Sequence, residues 1–337
     1  MRAARYHGPG DVRLEDVPEP TPGPGDVMIR PLHNGLCGTD LHQYFVGPMS
    51  PAPLPIIVGH EFSGEVVEVG RDVTSVTAGD LVTVEPLWPC GVCPQCVAGD
   101  YNLCPDVLCH GLGGPGGGLA ELTVVAERMA HPLPEGLGPV LGALVEPMSV
   151  AYRAVLRADP KPGRTAVVFG AGPIGIGSFL ALRALGVDDI TVVEPAPERR
   201  EAVGRVGAET VLDPTATNVV EVIRDATGGA GASIVIDAAG VPATFTAGLG
   251  VAGAKARFVT VAAYMEAVSY NPTEVMMREI EIVSSFSYAG EFDAVISHMA
   301  AGRYPVDGWV ERVPFDEHLG AYERLHRGEA IKLLVDI

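Results

Sequence analysis

Hydrophobic residues in the first 144 positions occur in short runs that Pro and Gly interrupt. The clearest of these runs cover residues 26–30, 62–69, 80–84 and 121–125. Short β-rich runs bounded by turn-forming residues at this spacing are typical of an irregular all-β barrel. The first part of the chain is therefore predicted to form a β-rich domain.

The pattern changes after Glu146, where longer apolar runs alternate with helical patterning. The runs lie at residues 165–169, 190–194, 233–237, 257–261 and 280–284. Near-continuous apolar strands separated by helices indicate an α/β domain with a parallel sheet that is covered on both faces. A helix is predicted over 293–303. The tail that follows is too short to fold alone, so we expect it to return to the first domain.

Charge restricts the classes of partner that this protein can bind. The 337 residues contain 23 basic and 42 acidic side chains, which gives a formal net charge of −19. Such a protein repels polyanions, so we expect no nucleic-acid partner and no acidic membrane surface. No apolar stretch approaches the roughly 18 residues that span a bilayer, and the N-terminus lacks a secretory apolar segment. The sequence thus predicts a soluble, cytoplasmic protein.

Four of the six cysteines crowd into one loop. They are Cys90, Cys93, Cys96 and Cys104, in a C-x2-C-x2-C-x7-C pattern. Four thiolates at short spacing close a tetrahedron around Zn²⁺ and leave no position for water or substrate, which makes the expected site structural. An iron–sulfur cluster uses the same ligands, and Pro105 keeps that alternative open, but the x7 gap favours zinc. Cys109 lies outside this spacing and is expected to be a small packed side chain.

The pattern G-x-G-x-x-G occurs three times, at residues 111–116, 170–175 and 248–253. The first match leads into a strand and is expected to be a flexible loop. The third match follows a helix and precedes a strand, which reverses the order that a dinucleotide site needs. Only the second match follows an apolar strand and opens a helix, so it is the predicted dinucleotide-binding turn.

The helix after this turn is predicted from Pro173 to about Leu185, with Gly186 as its C-terminal cap. The glycines of the turn are Gly170, Gly172 and Gly175. They permit a tight turn and bring a pyrophosphate to the helix N-terminus, where unpaired N–H groups favour anions. The segment therefore predicts a bound dinucleotide.

Glu194 indicates which dinucleotide is bound. It ends the second apolar strand, nineteen positions after Gly175. A carboxylate there hydrogen-bonds the ribose hydroxyls and repels a 2′-phosphate, so we expect NAD rather than NADP. Arg199 and Arg200 follow closely and keep NADP as the alternative.

A second set of candidate metal ligands is spread over three segments. The set consists of Cys37, His60, Glu61 and Glu146. One sulfur, one nitrogen and two carboxylates suit Zn²⁺ in a catalytic site, where three protein ligands leave an open position for water or a substrate oxygen. Bound there, Zn²⁺ acts as a Lewis acid that lowers the pKa of an alcohol.

These segments together resemble a known family. GLCGTDLH, VGHEFSGEVVEVG, the four-cysteine loop, LVEP and GAGPIG, in this order and spacing, are similar to the zinc-dependent medium-chain dehydrogenase/reductase family. Within it they most resemble 2,3-butanediol and sorbitol-type dehydrogenases. The resemblance implies a GroES-like catalytic domain at 1–145 and 286–337, with a zinc loop at about 88–106, and a Rossmann NAD-binding domain at 146–285. It also implies a homodimer or homotetramer assembled through the Rossmann sheet.

The resemblance further implies roles for the metal ligands. Cys37 and His60 are expected to bind a catalytic zinc, and Glu61 and Glu146 are expected to bind it directly or through water. Asp40 is expected to orient His60 by accepting a hydrogen bond from its ring. Which glutamate is the direct third ligand stays open.

Two further groups of residues take their roles from the resemblance. Thr39 is expected to take the alcohol proton, and His42 to pass it toward solvent. Ile174, Glu194 and Arg199 fall where the family holds the adenosine ribose.

The expected activity is hydride transfer between NAD(H) and a secondary alcohol or ketone, most closely a vicinal diol or hydroxyketone such as 2,3-butanediol or acetoin. Polyol and threonine dehydrogenases are alternatives, although Leu87 stands where threonine dehydrogenases carry a histidine. A non-catalytic zinc- or nucleotide-binding relative is the alternative from another class. The side chains expected to select the substrate lie near Tyr44, Phe45, Trp88 and Tyr288.

Overall fold

A computed structural model describes residues 1–48 and 52–337. Contacts divide the chain into two compact units. The first comprises Met1–Glu146, Phe292–Ala301 and Val310–Ile337, and the second comprises Pro147–Glu291 and Gly302–Trp309. Residues 286–291 and 302–309 therefore belong to the second unit, whereas the range predicted for it from the sequence is only 146–285. The guanidinium of Arg303 donates to the carbonyl of Ala184 at 2.8 Å, which helps to hold the second of these segments there.

Short strands dominate the first 146 residues. In chain order the elements are β1 (Arg2–Gly8), β2 (Asp11–Asp16), β3 (Asp26–Gly35), α1 (Gly38–Phe45), β4 (Ile56–Ile57), β5 (Glu61–Val69), β6 (Leu81–Val84), β7 (Leu87–Trp88), α2 (Pro94–Val97), β8 (Leu108–Cys109), β9 (Thr123–Ala126), β10 (Ala130–Pro132) and α3 (Pro139–Gly142). The four strands predicted in this region are confirmed as β3, β5, β6 and β9, the last displaced by about two residues.

The middle of the chain alternates helices and strands. Its elements are α4 (Val145–Arg157), β11 (Thr165–Phe169), α5 (Pro173–Ala184), β12 (Asp189–Val193), α6 (Pro197–Arg205), β13 (Thr210–Leu212), α7 (Val219–Ala226), β14 (Ala232–Asp237), α8 (Pro242–Val251), β15 (Ala252–Thr260), α9 (Pro272–Arg278) and β16 (Glu281–Ser284). The five strands predicted here are confirmed, as is the helix after the second glycine match.

The last segment of the chain contains α10 (Phe292–Ala300), β17 (Val310–Pro314), α11 (His318–His326) and β18 (Lys332–Asp336). The helix predicted over 293–303 is confirmed as α10, three residues shorter at its end. Strand β18 pairs antiparallel with β3, so the tail contributes to the sheet of the first unit.

The first unit contains a seven-stranded sheet of order β10-β6-β5-β3-β18-β17, with β9 also paired to β3. A three-stranded sheet, β2-β1-β4, and the small pair β7-β8 complete its strands in the described residues. Among the described residues its core contains two apolar clusters, one of which joins Phe62 and Val66 of β5 to Val27 and Ile29 of β3. This β-rich architecture confirms the prediction from the short interrupted runs.

The second unit is built on a parallel sheet of order β13-β12-β11-β14-β15-β16. Strands β11 and β14 are adjacent, so the order of the chain reverses between them. A crevice at the carboxyl ends of the strands at such a reversal is where doubly wound sheets bind dinucleotides. The predicted Rossmann domain is confirmed, and its core is dominated by buried β-branched and aromatic side chains such as Val167, Val235 and Phe258.

No helix in the described part of the chain is both long and apolar enough to cross a membrane.

Candidate active site and metal centres

Cys37 lies in the short connection between β3 and α1, where it is the N-cap of the helix. Its backbone N–H donates to Oδ2 of Asp40 at 2.8 Å. Asp40 thus fills the third position of the helix and satisfies a backbone donor that the helix would otherwise leave unpaired. This local contact anchors the backbone of Cys37 at the start of the helix.

His60 and Glu61 stand at the start of β5, beside the end of β3. Gly35 and Glu61 are register partners in this strand pair. Gly59 precedes them with φ +97°, and a Cβ there would lie 2.5 Å from Oδ1 of Asn34, so only glycine fits. As a result, one ligand atom each from Cys37, His60 and Glu61 lies within 4.8 Å of the others.

Asp40 also contacts His60. Its Oδ1 atom lies 3.3 Å from Nδ1 of His60, and both side chains are buried. Burial opposes a charge on the ring, but the Asp40 carboxylate outweighs burial and holds the pKa of His60 well above its usual value. With Nδ1 directed at a carboxylate, Nε2 is the nitrogen left for a metal, and the carboxylate fixes the ring orientation.

Lys332, on β18, forms a buried ion pair with Oε2 of Glu61 and donates to the carbonyl of Leu36 at 3.0 Å. Burial disfavours a charged lysine, yet the Glu61 carboxylate outweighs burial and raises the pKa of Lys332. A Cβ on Gly35 would collide with Oε2 of Glu61, so this pair also explains the glycine at the end of β3. One oxygen of Glu61 is therefore engaged, and the other remains for a metal.

Lys332 was not among the residues predicted for the site. A signal for it existed, because it is one of three lysines in the chain and interrupts the apolar run of residues 331–335. A lysine is almost never fully buried unless it is paired. A charged residue in an apolar strand therefore predicts a buried partner, although not which one.

Glu146 lies in the first turn of α4 and is 7% exposed. It is not part of the group whose ligand atoms lie within 4.8 Å of one another. Its charge nevertheless acts on the pKa of Lys332 and of Cys109. Glu146 therefore lies near the Cys37, His60 and Glu61 group but farther out than Glu61.

Thr39 and His42 lie on α1, next to Cys37. The Cys37 thiol and Oγ1 of Thr39 are 3.6 Å apart, and His42 follows one helical turn later. Both Thr39 and His42 are partly exposed. Their spacing on α1 suits a path from the ligand group toward solvent.

The structure gives the packing of the aromatic residues near which the substrate is expected to bind, and their role in substrate selection stays a prediction. Tyr44 packs on Tyr322 at 5.2 Å between ring centroids, and Phe45 stacks on His326 at 4.1 Å, both on α11. Trp88 packs against the core cluster that contains Phe62. Tyr288 is fully buried in the second unit.

Cys109 lies near enough to the group of Cys37, His60 and Glu61 for charges of that group to act on its thiol. It is partly exposed and pairs with Leu87 across β7 and β8. Burial raises the pKa of its thiol to about 12, and the charges of His60 and Glu146 also act on it. The glycine turn that follows is not a loose loop, because a Cβ on Gly111 would collide with the carbonyl of Gly59.

The four-cysteine loop forms a second candidate metal centre. Its ligand atoms lie within 4.8 Å of one another. The Sγ atoms of Cys93 and Cys96 are 3.4 Å apart, and those of Cys90 and Cys96 are 3.9 Å apart. Two sulfurs that each lie about 2.3 Å from a tetrahedral zinc are about 3.8 Å apart, so the donors fit such an ion.

The backbone of the loop also prepares these sulfurs for a metal. Cys93 is the N-cap of α2, and its Sγ accepts from the N–H of Cys96 at 3.5 Å. The N–H of Cys93 approaches Sγ of Cys90, and the N–H of Cys90 approaches Sγ of Cys104, each at 3.4 Å. N–H donors stabilise thiolates, which are the form that binds a metal.

In the second unit, the glycine turn has the geometry of a dinucleotide-binding turn. Gly170 follows β11 with φ +94°, and a Cβ on Gly175 would collide with the carbonyl of Gly170. Gly172 caps α5, Pro173 is its first residue, and Ile174 is the second. The unpaired N–H groups of this helix end therefore face the crevice at the reversal of strand order.

Glu194 follows β12 and is 4% exposed. Its two carboxylate oxygens accept from the backbone N–H groups of Ala171, at 2.7 Å, and Ala196, at 2.9 Å. A carboxylate has further lone pairs, so it can still accept from a ribose hydroxyl. Glu194 is thereby fixed against the glycine turn.

The two arginines after Glu194 differ in their contacts. Arg199 lies over Gly172, where a Cβ would be 3.9 Å from its Nη1. Arg200 donates to the carbonyl of Glu194 and pairs with Asp213 at 3.1 Å. Arg199 is therefore the arginine that faces the glycine turn.

Two family models match the chain. An alcohol dehydrogenase GroES-like domain matches residues 23–135, and a zinc-binding dehydrogenase domain matches residues 173–301. The (R,R)-butanediol dehydrogenase of Bacillus subtilis is 38% identical over 322 residues, which cover 93% of this chain and 92% of that protein. This chain belongs to the zinc-dependent medium-chain dehydrogenase/reductase family.

Other members of the family extend the comparison. The sorbitol dehydrogenase of Bombyx mori is 32% identical over 99% of this chain and 98% of its own length. A zinc-binding dehydrogenase of Sinorhizobium meliloti, solved with bound NADP, has a TM-score of 0.94 and 30% identity over 100% of this chain and 99% of its own. The protein is thus a zinc-dependent dehydrogenase that uses a nicotinamide cofactor.

Proposed function

We propose that this dehydrogenase oxidises a vicinal diol to a hydroxyketone with NAD, and catalyses the reverse reaction, with 2,3-butanediol and acetoin as the closest pair. The observation that carries the proposal is the grouping of Cys37, His60 and Glu61 within 4.8 Å. The similarity to (R,R)-butanediol dehydrogenase supports the choice of a vicinal diol.

The donor set of this group fits a catalytic zinc. A thiolate, an imidazole nitrogen and a carboxylate are three ligands that zinc accepts, and three protein ligands leave a fourth position open. Bound zinc supplies a Lewis acid that lowers the pKa of the substrate alcohol. The direct ligands in this proposal are Cys37, His60 and Glu61, because Glu146 lies outside their group. Glu146 then acts through a water molecule.

The surrounding residues hold the ligands. Asp40 orients His60 through Nδ1 and Cys37 through its backbone N–H. Lys332 holds one oxygen of Glu61 and offsets part of the negative charge of the site. Such partners fix ligand orientation and tune the basicity of the ligands.

We infer that Thr39 and His42 move the proton. The Thr39 hydroxyl, beside Sγ of Cys37, accepts the alcohol proton at Oγ1 and gives up its own hydroxyl proton toward His42. His42, three residues later on α1, receives it and releases it to solvent, because its ring is partly exposed. An imidazole is suited to this step because one ring nitrogen can accept a proton while the other donates one.

The dinucleotide is proposed to be NAD. The α5 N-terminus at Gly170, Gly172, Pro173 and Gly175 would hold its pyrophosphate, and Ile174, Glu194 and Arg199 would hold its adenosine ribose. The carboxylate of Glu194 disfavours a 2′-phosphate, whereas Arg199 attracts one. We give Glu194 the greater weight because two backbone donors fix it against the turn. A dinucleotide bound there would supply the nicotinamide that carries the hydride.

The four-cysteine loop is proposed to hold a structural zinc through Cys90, Cys93, Cys96 and Cys104. The complete sulfur shell leaves no position for substrate. Free thiols at a metal site are stable in a reducing compartment, which supports a cytoplasmic location.

A homodimer or homotetramer is proposed as the working form. Large apolar side chains near the edge of the second unit's sheet are exposed, among them Met276 at 67%, Met277 at 76% and Phe286 at 63%. Exposed apolar patches of this kind mark protein interfaces. A second copy of the chain is the partner that the proposal assigns to this patch.

A polyol dehydrogenase is the second candidate, favoured by the similarity to sorbitol dehydrogenase. Threonine is a weaker substrate candidate, since Leu87 occupies the position of the histidine expected for it. A non-catalytic relative is disfavoured because every expected metal ligand is present.

The test is a screen of purified protein with NAD and with NADP over 2,3-butanediol stereoisomers, acetoin, sorbitol, xylitol and threonine. We expect (R,R)-butanediol with NAD to give a kcat/KM at least about tenfold above sorbitol, a difference of about 1.4 kcal/mol in transition-state binding. Metal analysis is expected to give two zinc ions per chain. Higher kcat/KM with sorbitol would select the second candidate, and no turnover of any alcohol would reject both.

A further inference from the structure

Asp237 is a fully buried carboxylate outside the metal sites with four donors around it. It ends β14. Its Oδ1 accepts from the N–H groups of Ala239, at 2.9 Å, and Gly240, at 3.1 Å. Its Oδ2 accepts from the hydroxyl of Thr244, at 2.7 Å, and from the hydroxyl of Tyr264. A buried carboxylate is costly unless it is satisfied in this way.

The turn that Asp237 organises lies beside the glycine turn. Asp237 is the register partner of Phe169 on β11, and the N–H of Ala238 donates to the Phe169 carbonyl at 2.9 Å. A Cβ on Gly170 would be 3.3 Å from the backbone of Ala238 and of Ala239. Residues 238–240 therefore form the wall of the crevice opposite the first βα unit.

Tyr264 connects this turn to a second loop. It lies after β15, in the loop of residues 261–264, whose N–H groups at Val261 and Ala262 donate to the Asp237 carbonyl. Gly240, with φ +72°, packs directly on the carbonyl of Ala263. The Tyr264 hydroxyl adds a side-chain bond to the same carboxylate that holds the turn. One aspartate thus ties the two loops at the carboxyl ends of β14 and β15.

Doubly wound sheets place the two halves of a dinucleotide on the two halves of the sheet. The β11 and β12 half carries the glycine turn and Glu194, which suit the adenosine half. The β14 and β15 half, with the turn 238–240 and the loop 261–264, is then the side of the nicotinamide half.

We propose that Tyr264 is a positioning residue for the nicotinamide half of the dinucleotide, because its hydroxyl holds the loop 261–264 onto Asp237. This inference rests on the proposed NAD-dependent function. Burial and the bond to Asp237 raise the pKa of the Tyr264 hydroxyl, so it stays a proton donor at neutral pH.

The test compares Tyr264→Phe with the matched control Tyr270→Phe, by calorimetric binding of NADH and of AMP. Both rings contact Phe245, at 6.1 Å and 5.6 Å between centroids, but Tyr270 is 45% exposed. Tyr264→Phe is expected to weaken NADH binding about tenfold, the worth of one good hydrogen bond to a charged group. AMP, which occupies only the adenosine half, is expected to bind as before, and Tyr270→Phe is expected to change neither affinity.

A third variant, Thr244→Val, removes the other donor to Oδ2 without releasing the loop 261–264. It is expected to keep NADH affinity within about twofold of the parent. Unchanged NADH binding in Tyr264→Phe would overturn the inference. So would a loss of AMP affinity in Tyr264→Phe as large as its loss of NADH affinity. An equal loss of NADH affinity in Thr244→Val and in Tyr264→Phe would also overturn it. If the parent itself binds neither NADH nor NADPH, the proposed function fails instead, so the two failures are distinguishable.

Discussion

The two candidate metal centres of the first unit are both organised by cysteine, but the protein supports them differently. In the group of Cys37, His60 and Glu61, each ligand residue is held by a buried charged side chain. Asp40 accepts from the backbone N–H of Cys37 and faces the ring of His60, and Lys332 pairs with Glu61. In the four-cysteine loop, the sulfurs are contacted by the loop's own backbone N–H groups. The first centre is thus built by the fold, whereas the second is a loop that the proposed zinc would help to build.

The exposed fractions of the side chains also differ between the two centres. His60 and Glu61 are 4% and 1% exposed, whereas Val92 and Val97 of the loop are 81% and 77% exposed. For a loop that buries so little apolar surface, the proposed zinc would supply much of the folding free energy. A site that must keep a ligand position open cannot be held by its metal alone, so surrounding charges have to hold its ligands.

The largest expected effect separates the two centres by activity. Cys37→Ser is expected to lower kcat by about a thousandfold or more, because several kcal/mol of charge stabilisation are lost with the catalytic metal. Zinc content should fall from two ions to one, and NADH affinity should stay near that of the parent. Steady-state kinetics, metal analysis and calorimetry measure these three quantities.

Cys93→Ser is the matched control for this prediction. It also removes one thiolate and one zinc, but from the loop, so activity at low temperature should be largely kept. Equal loss of activity in both variants would mean that the loop centre also takes part in catalysis. Full activity of Cys37→Ser would contradict the assignment of the metal.

The second prediction concerns Lys332, whose charge pairs with Glu61 in the first centre. Lys332→Met is expected to lower the free energy of unfolding by about 3–5 kcal/mol, because it leaves Glu61 buried without its partner. Urea unfolding measures the loss. Bound zinc also offsets the charge of Glu61, so the loss should be larger in chelator-treated protein.

Lys255→Met is the control, since Lys255 is 80% exposed and lies 3.6 Å from Glu279 at the surface. Its effect should stay within about 0.5 kcal/mol. If Lys332→Met is no more destabilising than Lys255→Met, the buried pair does not hold the site.

The same two regions show what the sequence could predict. The cysteine loop was predictable in full, because short spacing brings its four sulfurs together whatever the rest of the fold does. Cys37 and His60 were predictable as candidates from their motifs. Their support was only partly predictable: Asp40 lies three residues from Cys37 on one helix turn, whereas Lys332 reaches Glu61 through the pairing of β18 with β3, across 271 residues.

The contacts of the aromatic residues on α1 could not be predicted from the sequence. Tyr44 and Phe45 were expected to line a substrate pocket because they follow the catalytic run in sequence. Both also pack on α11, on Tyr322 and His326, which the sequence did not predict, and their place in a substrate pocket stays a prediction. Cys109, given no role, lies near the ligands because the segment after it packs on Gly59. Side-chain direction depends on which elements pack together, and one run of sequence does not contain that information.

The third prediction weakens one support without removing a ligand. Asp40→Asn keeps an oxygen that can cap α1 but loses the charge beside His60. The affinity of the catalytic site for zinc is expected to fall by about 10–100-fold, the usual effect of losing such a partner. Competition with a chromophoric chelator measures it. The control is Asp106→Asn, which removes an exposed carboxylate near the cysteine loop and should leave the zinc affinity of both sites unchanged. A similar loss of zinc affinity in this control would mean that net charge alone causes the effect.

The smallest expected effect concerns how the cysteine loop is attached to its unit. Tyr101 in the loop donates to Glu85 at 2.6 Å, and Glu85 also contacts His131 at 3.1 Å. The second ring nitrogen of His131 lies 3.2 Å from Asp293 of α10. Burial opposes a charge on this ring, but the carboxylates of Glu85 and Asp293 outweigh it and raise the pKa of His131.

A raised folded-state pKa of a histidine stabilises the fold fully below the unfolded value of about 6.5, and the stabilisation is lost as pH rises through the folded value. His131→Gln should therefore cost about 1 kcal/mol or less at pH 6, and the gap to the parent should narrow at pH 9. Urea unfolding at the two pH values measures it. A gap of equal size at both would mean that His131 acts by packing on Phe292, 5.0 Å away between ring centroids, and that charge does not attach the loop.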